Sequence, residues 1–124
     1  MSAARYDFTA ENNGSACEQN ASFGPVLTWT DQAGDPVDLT HYTAKLQVRA
    51  AAGADVVLEL STDNGKITLG GLAGTITLVL TPAQTAALTA GTYVYDLLVK
   101  DSSGVVTRLL EGEFEIKPGI TVMS

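Results

Sequence analysis

Apolar and polar residues alternate with a period of two along most of the chain. In "HYTAKLQVRA", residues 41–50, the apolar residues Ala44, Leu46 and Val48 alternate with polar ones. Because successive side chains of a strand point to opposite faces, this pattern predicts a strand with one packed face and one solvated face. Gly, Asp, Asn and Pro interrupt the alternation about every ten residues, which is typical of a sandwich or barrel of short strands.

The same alternation predicts several further strands and the turns between them. The inward-facing sets are Val56, Leu58 and Leu60, then Ile76, Leu78 and Leu80, then Tyr93, Tyr95, Leu97 and Val99, and finally Leu110, Phe114 and Ile116. "DSSG", residues 101–104, predicts a tight hairpin between the last two strands. Gly112 indicates a bulge or a close approach of another backbone, and Pro118 ends the pairing because it has no N–H to donate.

The amino-terminal part and one internal segment complete the predicted architecture. "RYDFTA" and "FGPVLTWT" are predicted strands on either side of a polar loop, residues 11–22, which contains Cys17. "TPAQTAALTA" is helical in character, with Thr81 as the N-cap and Pro82 at the first helical position. We therefore predict a single all-β domain over residues 1–124, a sandwich or barrel of short strands with one short helical turn.

The segment from Thr81 to Asp101 resembles the corner that leads into strand F of immunoglobulin-like domains. This resemblance implies that the domain is an immunoglobulin-like β-sandwich with one short helical turn before the penultimate hairpin. By this resemblance Tyr93 is the corner tyrosine, whose hydroxyl bonds back to the preceding connection, and Leu88 belongs to the turn before it. Tyr95 takes the place that a cysteine has in antibody domains. Trp29 is the candidate for the buried indole, although it falls on an earlier strand. The alternative is that these aromatic residues form a patch that binds sugar or peptide, which their alternation along strands disfavours.

Charge and cysteine content exclude several classes of partner. Seven basic residues against fourteen acidic ones give a net charge of −7, and both nucleic acid and anionic membrane would repel such a chain. No apolar run is long enough to span a membrane, and the amino terminus has no secretory signal, so we expect a soluble protein made in the cytoplasm. Cys17 is the one cysteine, and nothing in the sequence around it predicts a lowered pKa.

Residue patterns that support catalysis or metal binding are weak. His41 is the only histidine, so a histidine-based metal site or a Ser/His/Asp relay has one candidate member at most. Asp31, Asp35 and Asp38 have spacings that calcium could use, but a polar turn explains them better. Glu111, Glu113 and Glu115 share a strand face at a separation that paired glycosidase carboxylates also show, yet they are typical of an exposed acidic edge. We predict no enzymatic activity, no cofactor and no metal.

Across nearly its whole length the sequence resembles small phage virion proteins that are related to the amino-terminal immunoglobulin-like domain of upper baseplate proteins. The resemblance rests on "YDFTA", "LTWTDQAGDPVDLTHYTAKLQVR", "VLELSTDNGKITLGG", "GTITLVLTPAQTAAL" and "AGTYVYDLLVKDSSGVVTRLLEGEFEIKPGITV". It implies a virion protein of the tail, baseplate or tail-fibre attachment, present in symmetric copies that contact other virion proteins. The alternatives are a decoration of the capsid surface and a carbohydrate-binding module at the host surface. The resemblance brings no catalytic, cofactor-binding or metal-binding residues with it.

Overall fold

The computed structural model describes residues 4–11 and 16–121, and in these residues the chain forms nine strands and one short α-helix. The elements are β1 (Ala4–Arg5), β2 (Cys17–Glu18), β3 (Val26–Thr28), β4 (Thr43–Arg49), β5 (Val56–Ser61), β6 (Ile67–Leu69), β7 (Thr75–Leu78), α1 (Pro82–Ala86), β8 (Gly91–Lys100) and β9 (Val106–Lys117). The turns follow the predicted Gly and Asp positions. At residues 101–105, for example, the Asp101 carboxylate accepts hydrogen bonds from the backbone N–H groups of Ser103 and Val105 at 2.9 and 3.0 Å.

The strands form two sheets. The larger sheet has the order β1-β9-β8-β4-β5, with β2 also pairing with β9, and the smaller sheet has the order β3-β7-β6. All neighbouring pairs are antiparallel except those of β1 and β2, which run parallel to β9. The order β9-β8-β4-β5 against β3-β7-β6 is that of an immunoglobulin-like sandwich, so the predicted fold is confirmed.

The inner faces of the two sheets enclose one apolar core. Ala44, Leu46 and Val48 of β4 are buried, as the alternation predicted. The other fully or nearly fully buried residues include Ile76, Leu78, Leu80, Leu97, Val99 and Ile116. One part of the core is aromatic, because the rings of Phe8, Phe23, Tyr95 and Phe114 pack with centroids 5.0 to 6.2 Å apart. Edge-to-face and tilted contacts at these distances add to the energy of apolar burial.

The helix α1 begins as the sequence predicted. The Thr81 side chain accepts a hydrogen bond from the backbone N–H of Gln84, and the Gln84 side chain accepts one from the backbone N–H of Thr81, which completes a capping box. Thr85 is fully buried, and its hydroxyl donates to the carbonyl of Ala21 at 2.9 Å. This bond fixes the helix to the segment before β3. The hairpin β8–β9 that follows α1 is the last in the chain, whereas the sequence placed the helix before the penultimate one.

The amino-terminal part differs most from its prediction. Of the predicted loop, residues 12–15 lie outside the described residues, but Cys17 is not in a loop: it is fully buried in the core and belongs to β2. Pairing of Cys17 with Ile116 places it there. In β5, Val56 is 41% exposed rather than inward-facing, because the register between β4 and β5 shifts at Val48 and Arg49.

Candidate functional site

The four residues singled out from the sequence lie in different surroundings. The Tyr93 hydroxyl donates to the carbonyl of Thr89 at 2.8 Å, within the connection that precedes β8. Tyr95 belongs to the aromatic part of the core, and its hydroxyl donates to the carbonyl of Tyr6. Leu88 is half-buried against the core.

Trp29 is also half-buried, and it packs away from the aromatic cluster against Tyr42, with ring centroids 6.3 Å apart. The structure therefore does not bring Trp29 together with Tyr93 and Tyr95.

None of the eight aromatic residues, all of which are in the described part of the chain, is in an exposed position. A flat aromatic platform of the kind that stacks on sugar rings is thus absent from residues 4–11 and 16–121.

The aspartates considered as calcium ligands are engaged in turns. Oδ1 of Asp31 accepts from the backbone N–H groups of Ala33 and Asp35 at 2.9 and 3.0 Å. Oδ1 of Asp38 accepts from both the hydroxyl and the backbone N–H of Thr40, and these bonds, the hydroxyl first, lower the pKa of Asp38. Within the described residues, no group of three or more His, Cys, Asp or Glu side chains is arranged to hold a metal ion.

The outward-facing glutamates of β9 have different environments. The carboxylate of Glu115 accepts from the backbone N–H of Ala10 at 2.9 Å, so it holds the amino-terminal segment against β9. Glu111 and Glu113 instead border an open cleft on the outer face of the larger sheet. This cleft has a volume of about 610 Å³, within the range of small-ligand sites.

The cleft runs over β8 and is bordered by long side chains of the strands on either side. Val94 and Asp96 of β8 form its floor, Gln47 and Arg49 stand on β4, and Glu111 and Glu113 stand on β9. The rest of the lining consists of Arg5, Tyr95, Arg108, Gly112 and the turn residues Ala52 and Gly53. Gly112 leaves space for the segment that follows β1, since a Cβ atom at residue 112 would lie 2.6 Å from Oδ1 of Asp7. The predicted close approach at Gly112 is thus confirmed, and the approaching groups belong to Tyr6 and Asp7, directly after β1.

All three arginines of the chain line this cleft. Two of them are ion-paired: Nε of Arg108 lies 3.2 Å from Oδ2 of Asp96, and Nη2 of Arg5 lies 3.0 Å from Oδ1 of Asp7. Arg49 is held differently. Its Nη2 donates to Oε1 of Gln47 at 2.9 Å and its Nη1 donates to the carbonyl of Ala54, and both of these acceptors are neutral.

Arg49 and Glu113 face each other across the cleft. The register pairs Arg49 with Val94 and Val94 with Glu113, so the three residues form one row across three strands. Their Cα atoms span two strand spacings, or about 10 Å. Among the described residues, neither the guanidinium of Arg49 nor the carboxylate of Glu113 is in an ion pair. Alternation predicted that both side chains point outward, but only the cross-strand register brings them into one row.

Comparisons with known proteins add a likeness of fold. No protein-family model and no curated protein matches the chain. Among solved structures, the chain is similar to CopC from Methylosinus trichosporium OB3b, with 18% sequence identity, a TM-score of 0.45, and coverage of 87% of this chain and 89% of that chain. At this identity the likeness carries no function over to the chain.

The virion function that the sequence resemblance implied is wrong on these findings. Nothing in the comparisons supports a role in a phage tail, baseplate or capsid surface. The alternative of a carbohydrate-binding module also fails in the described residues, because it required the exposed aromatic patch that the fold places in or against the core. The resemblance of the sequence to those virion proteins stays a prediction.

Proposed function

We propose that the chain is a non-catalytic binding domain and that the cleft over β8 is its binding site. One observation carries the proposal: a chain of net charge −7 places all three of its arginines around a single cleft. Arginine is well suited to recognition because its planar guanidinium group donates several hydrogen bonds in a fixed geometry. A site lined in this way binds polar ligands through directed hydrogen bonds and ion pairs.

The balance of charge in the cleft supports a polypeptide as the ligand. The lining contains three guanidinium groups and three carboxylates, so its formal charges sum to zero; they belong to Arg5, Arg49, Arg108, Asp96, Glu111 and Glu113. A polyanion such as nucleic acid would meet the carboxylates as well as the arginines and gain little. A polypeptide segment offers charges of both signs together with backbone donors and acceptors, which matches such a lining.

The chemistry of the lining supports binding rather than catalysis. Its side chains carry guanidinium, carboxylate, amide, methyl and phenol groups, and the phenol is that of Tyr95, which is buried. Hydroxyl and thiol nucleophiles are usually activated by a base beside them, such as histidine. His41 and Cys17, the sole members of their types, are not in the cleft lining.

Nuclear magnetic resonance can test this proposal directly. We expect a tryptic digest of casein, used as a mixture of short peptides, to shift the backbone amide signals of Gln47, Gly53 and Asp96 in the 15N-labelled protein. The variant Arg49→Gln should reduce these shifts. The matched control Lys66→Gln, which removes a positive charge from the turn between β5 and β6, should leave them unchanged. Shifts that are absent, or confined to residues outside the cleft, would overturn the proposal.

A further inference from the structure

The walls of the cleft have opposite polarity once the internal ion pairs are taken into account. Arg108 is neutralised by Asp96, and Arg5 by Asp7. The charges that remain are the guanidinium of Arg49 on the β4 wall and, on the β9 wall, the carboxylates of Glu113 and Glu111. Glu111 lies 4.0 Å from Nη1 of Arg108, whose charge Asp96 already compensates. Between them the floor is Val94, which is 39% exposed. The cleft thus presents a positive wall and a negative wall on either side of an apolar floor.

The positive wall is held in place before any ligand arrives. Nε2 of Gln47 donates to Oε1 of Glu59 at 2.8 Å, and Oε1 of Gln47 accepts from Arg49. Together with the Arg49 bond to the carbonyl of Ala54, this chain of hydrogen bonds fixes the guanidinium from two sides. Because the acceptors are neutral, the bonds orient the charge without cancelling it. A group arranged in advance loses less side-chain entropy on binding.

From this geometry we propose that the ligand of the cleft is an extended polypeptide segment in which an acidic and a basic residue are adjacent. This inference rests on the proposed function. Successive side chains of an extended chain point in opposite directions. A segment lying along β8 can therefore direct its carboxylate to Arg49 on one wall and the neighbouring ammonium or guanidinium group to Glu113 on the other. The apolar floor at Val94 then lies under the backbone and side-chain stems of the ligand.

The test compares peptides that differ only in charge. The probe is acetyl-Gly-Gly-Asp-Lys-Gly-Gly-amide, and its neutral counterpart has Asn and Gln in place of Asp and Lys. Affinities are measured from the amide shifts of the cleft residues during titration. A hydrogen bond between charged groups contributes enough that we expect the charged peptide to bind at least about tenfold more tightly than the neutral one.

Variants that exchange the charges of Arg49 and Glu113 supply the matched control for the peptide titrations. Arg49→Glu should abolish the preference for the charged peptide, since both walls then repel its carboxylate. The double variant Arg49→Glu/Glu113→Arg should restore the preference, because the peptide can bind in the reverse direction. Restoration also shows that loss in the single variant is not caused by misfolding, which the dispersion of the amide spectrum checks independently.

The possible outcomes separate this inference from the proposed function. A preference for the charged peptide that is lost in the single variant and regained in the double variant supports the inference. Equal binding of both peptides in the cleft overturns the inference and leaves the proposed function standing. If neither these peptides nor the casein digest shifts the cleft amides, both proposals are wrong.

Discussion

The hydroxyl groups of Tyr93 and Tyr95 connect different parts of the chain, although the residues are only two positions apart. Tyr93 bonds to Thr89 within its own connection, whereas Tyr95 bonds to the carbonyl of Tyr6 at the far end of the sequence. We expect Tyr95→Phe to lower the free energy of unfolding by about 1–2 kcal/mol, because it leaves a partly buried carbonyl without this partner. Urea denaturation measures the change. The hydrogen bond of the Tyr93 hydroxyl is exposed, so Tyr93→Phe should lower the free energy of unfolding by less. A decrease in Tyr93→Phe that equals or exceeds the one in Tyr95→Phe would contradict this account.

Because Cys17 is buried, we expect the free energy of unfolding to decrease as the pH rises into the alkaline range. Desolvation, followed by repulsion from Glu18, raises the pKa of the Cys17 thiol from 9.0 to about 11. Between these pH values the unfolded chain releases the thiol proton while the folded chain keeps it, so stability is fully present below pH 9 and is lost as pH rises toward 11. Burial also raises the pKa of Tyr95, which acts in the same direction above pH 10.

We therefore expect the free energy of unfolding to fall above pH 9 with a slope of up to about 1.4 kcal/mol per pH unit for each proton. Chemical denaturation at a series of pH values measures this slope. In a Cys17→Ala variant the decrease should begin later, near pH 10, where Tyr95 begins to contribute. An unchanged onset in that variant would show that Cys17 is not the group responsible.

At the scale of elements, strand faces could be predicted from the sequence and strand partners could not. Alternation predicted the buried sides of β4, β7 and β8 correctly, since the buried residues of each follow a period of two. In β5 the shift of register opposite Val48 and Arg49 breaks that period at Val56. The prediction from alternation failed at β2, because this strand has only two residues and its neighbours in sequence are polar. The burial of Cys17 becomes visible only from the pairing of β2 with β9. The cleft could not be predicted for the same reason: Arg49, Val94 and Glu113 are distant in sequence, and only the register of three strands puts them in one row.

The segment that follows β1 can pack against β9 only because Gly112 has no side chain. A methyl group at this position would lie within van der Waals radii of the Tyr6 carbonyl and of Asp7, and backbone atoms cannot yield as a flexible side chain can. We expect Gly112→Ala to destabilise the protein by about 1–3 kcal/mol, as other overpacked sites do. Urea denaturation tests this. The control Gly24→Ala places its methyl 3.8 Å from the Leu78 carbonyl, an ordinary contact, and should have a smaller effect.

Hydrogen exchange in the same variant would locate the damage. The amides of Tyr6 and Phe8, in the segment that follows β1, donate to the carbonyls of Glu111 and Glu113 at 3.0 and 2.8 Å. If the methyl group displaces this segment, these two amides should exchange faster than in the unmodified protein. The amides of β4 should be unaffected. Loss of protection throughout the larger sheet would instead indicate that β1 and β9 do not open as a separate unit.

At the scale of the whole molecule, the two sheets differ in how many of their strands are hydrogen-bonded to a neighbouring strand at both edges. In the larger sheet β8 lies between β4 and β9 along almost its full length, while the smaller sheet consists of strands of three or four residues, two of them at edges. Local opening costs least where backbone hydrogen bonds are few and exposed. The cleft lies over β8, so the proposed binding site rests on the part of the fold with the most continuous pairing.

This difference predicts a gradient of native-state hydrogen exchange across the molecule. The amides of Leu46 and Leu97, in the centre of β4 and β8, should exchange only on global unfolding, with an opening free energy equal to that from urea denaturation. The amides of β3 and β6 should exchange through smaller openings that do not depend on denaturant, because these short edge strands are each paired on one side only. Exchange from both sheets with one common opening energy would contradict this gradient and show that the sandwich opens only as a whole.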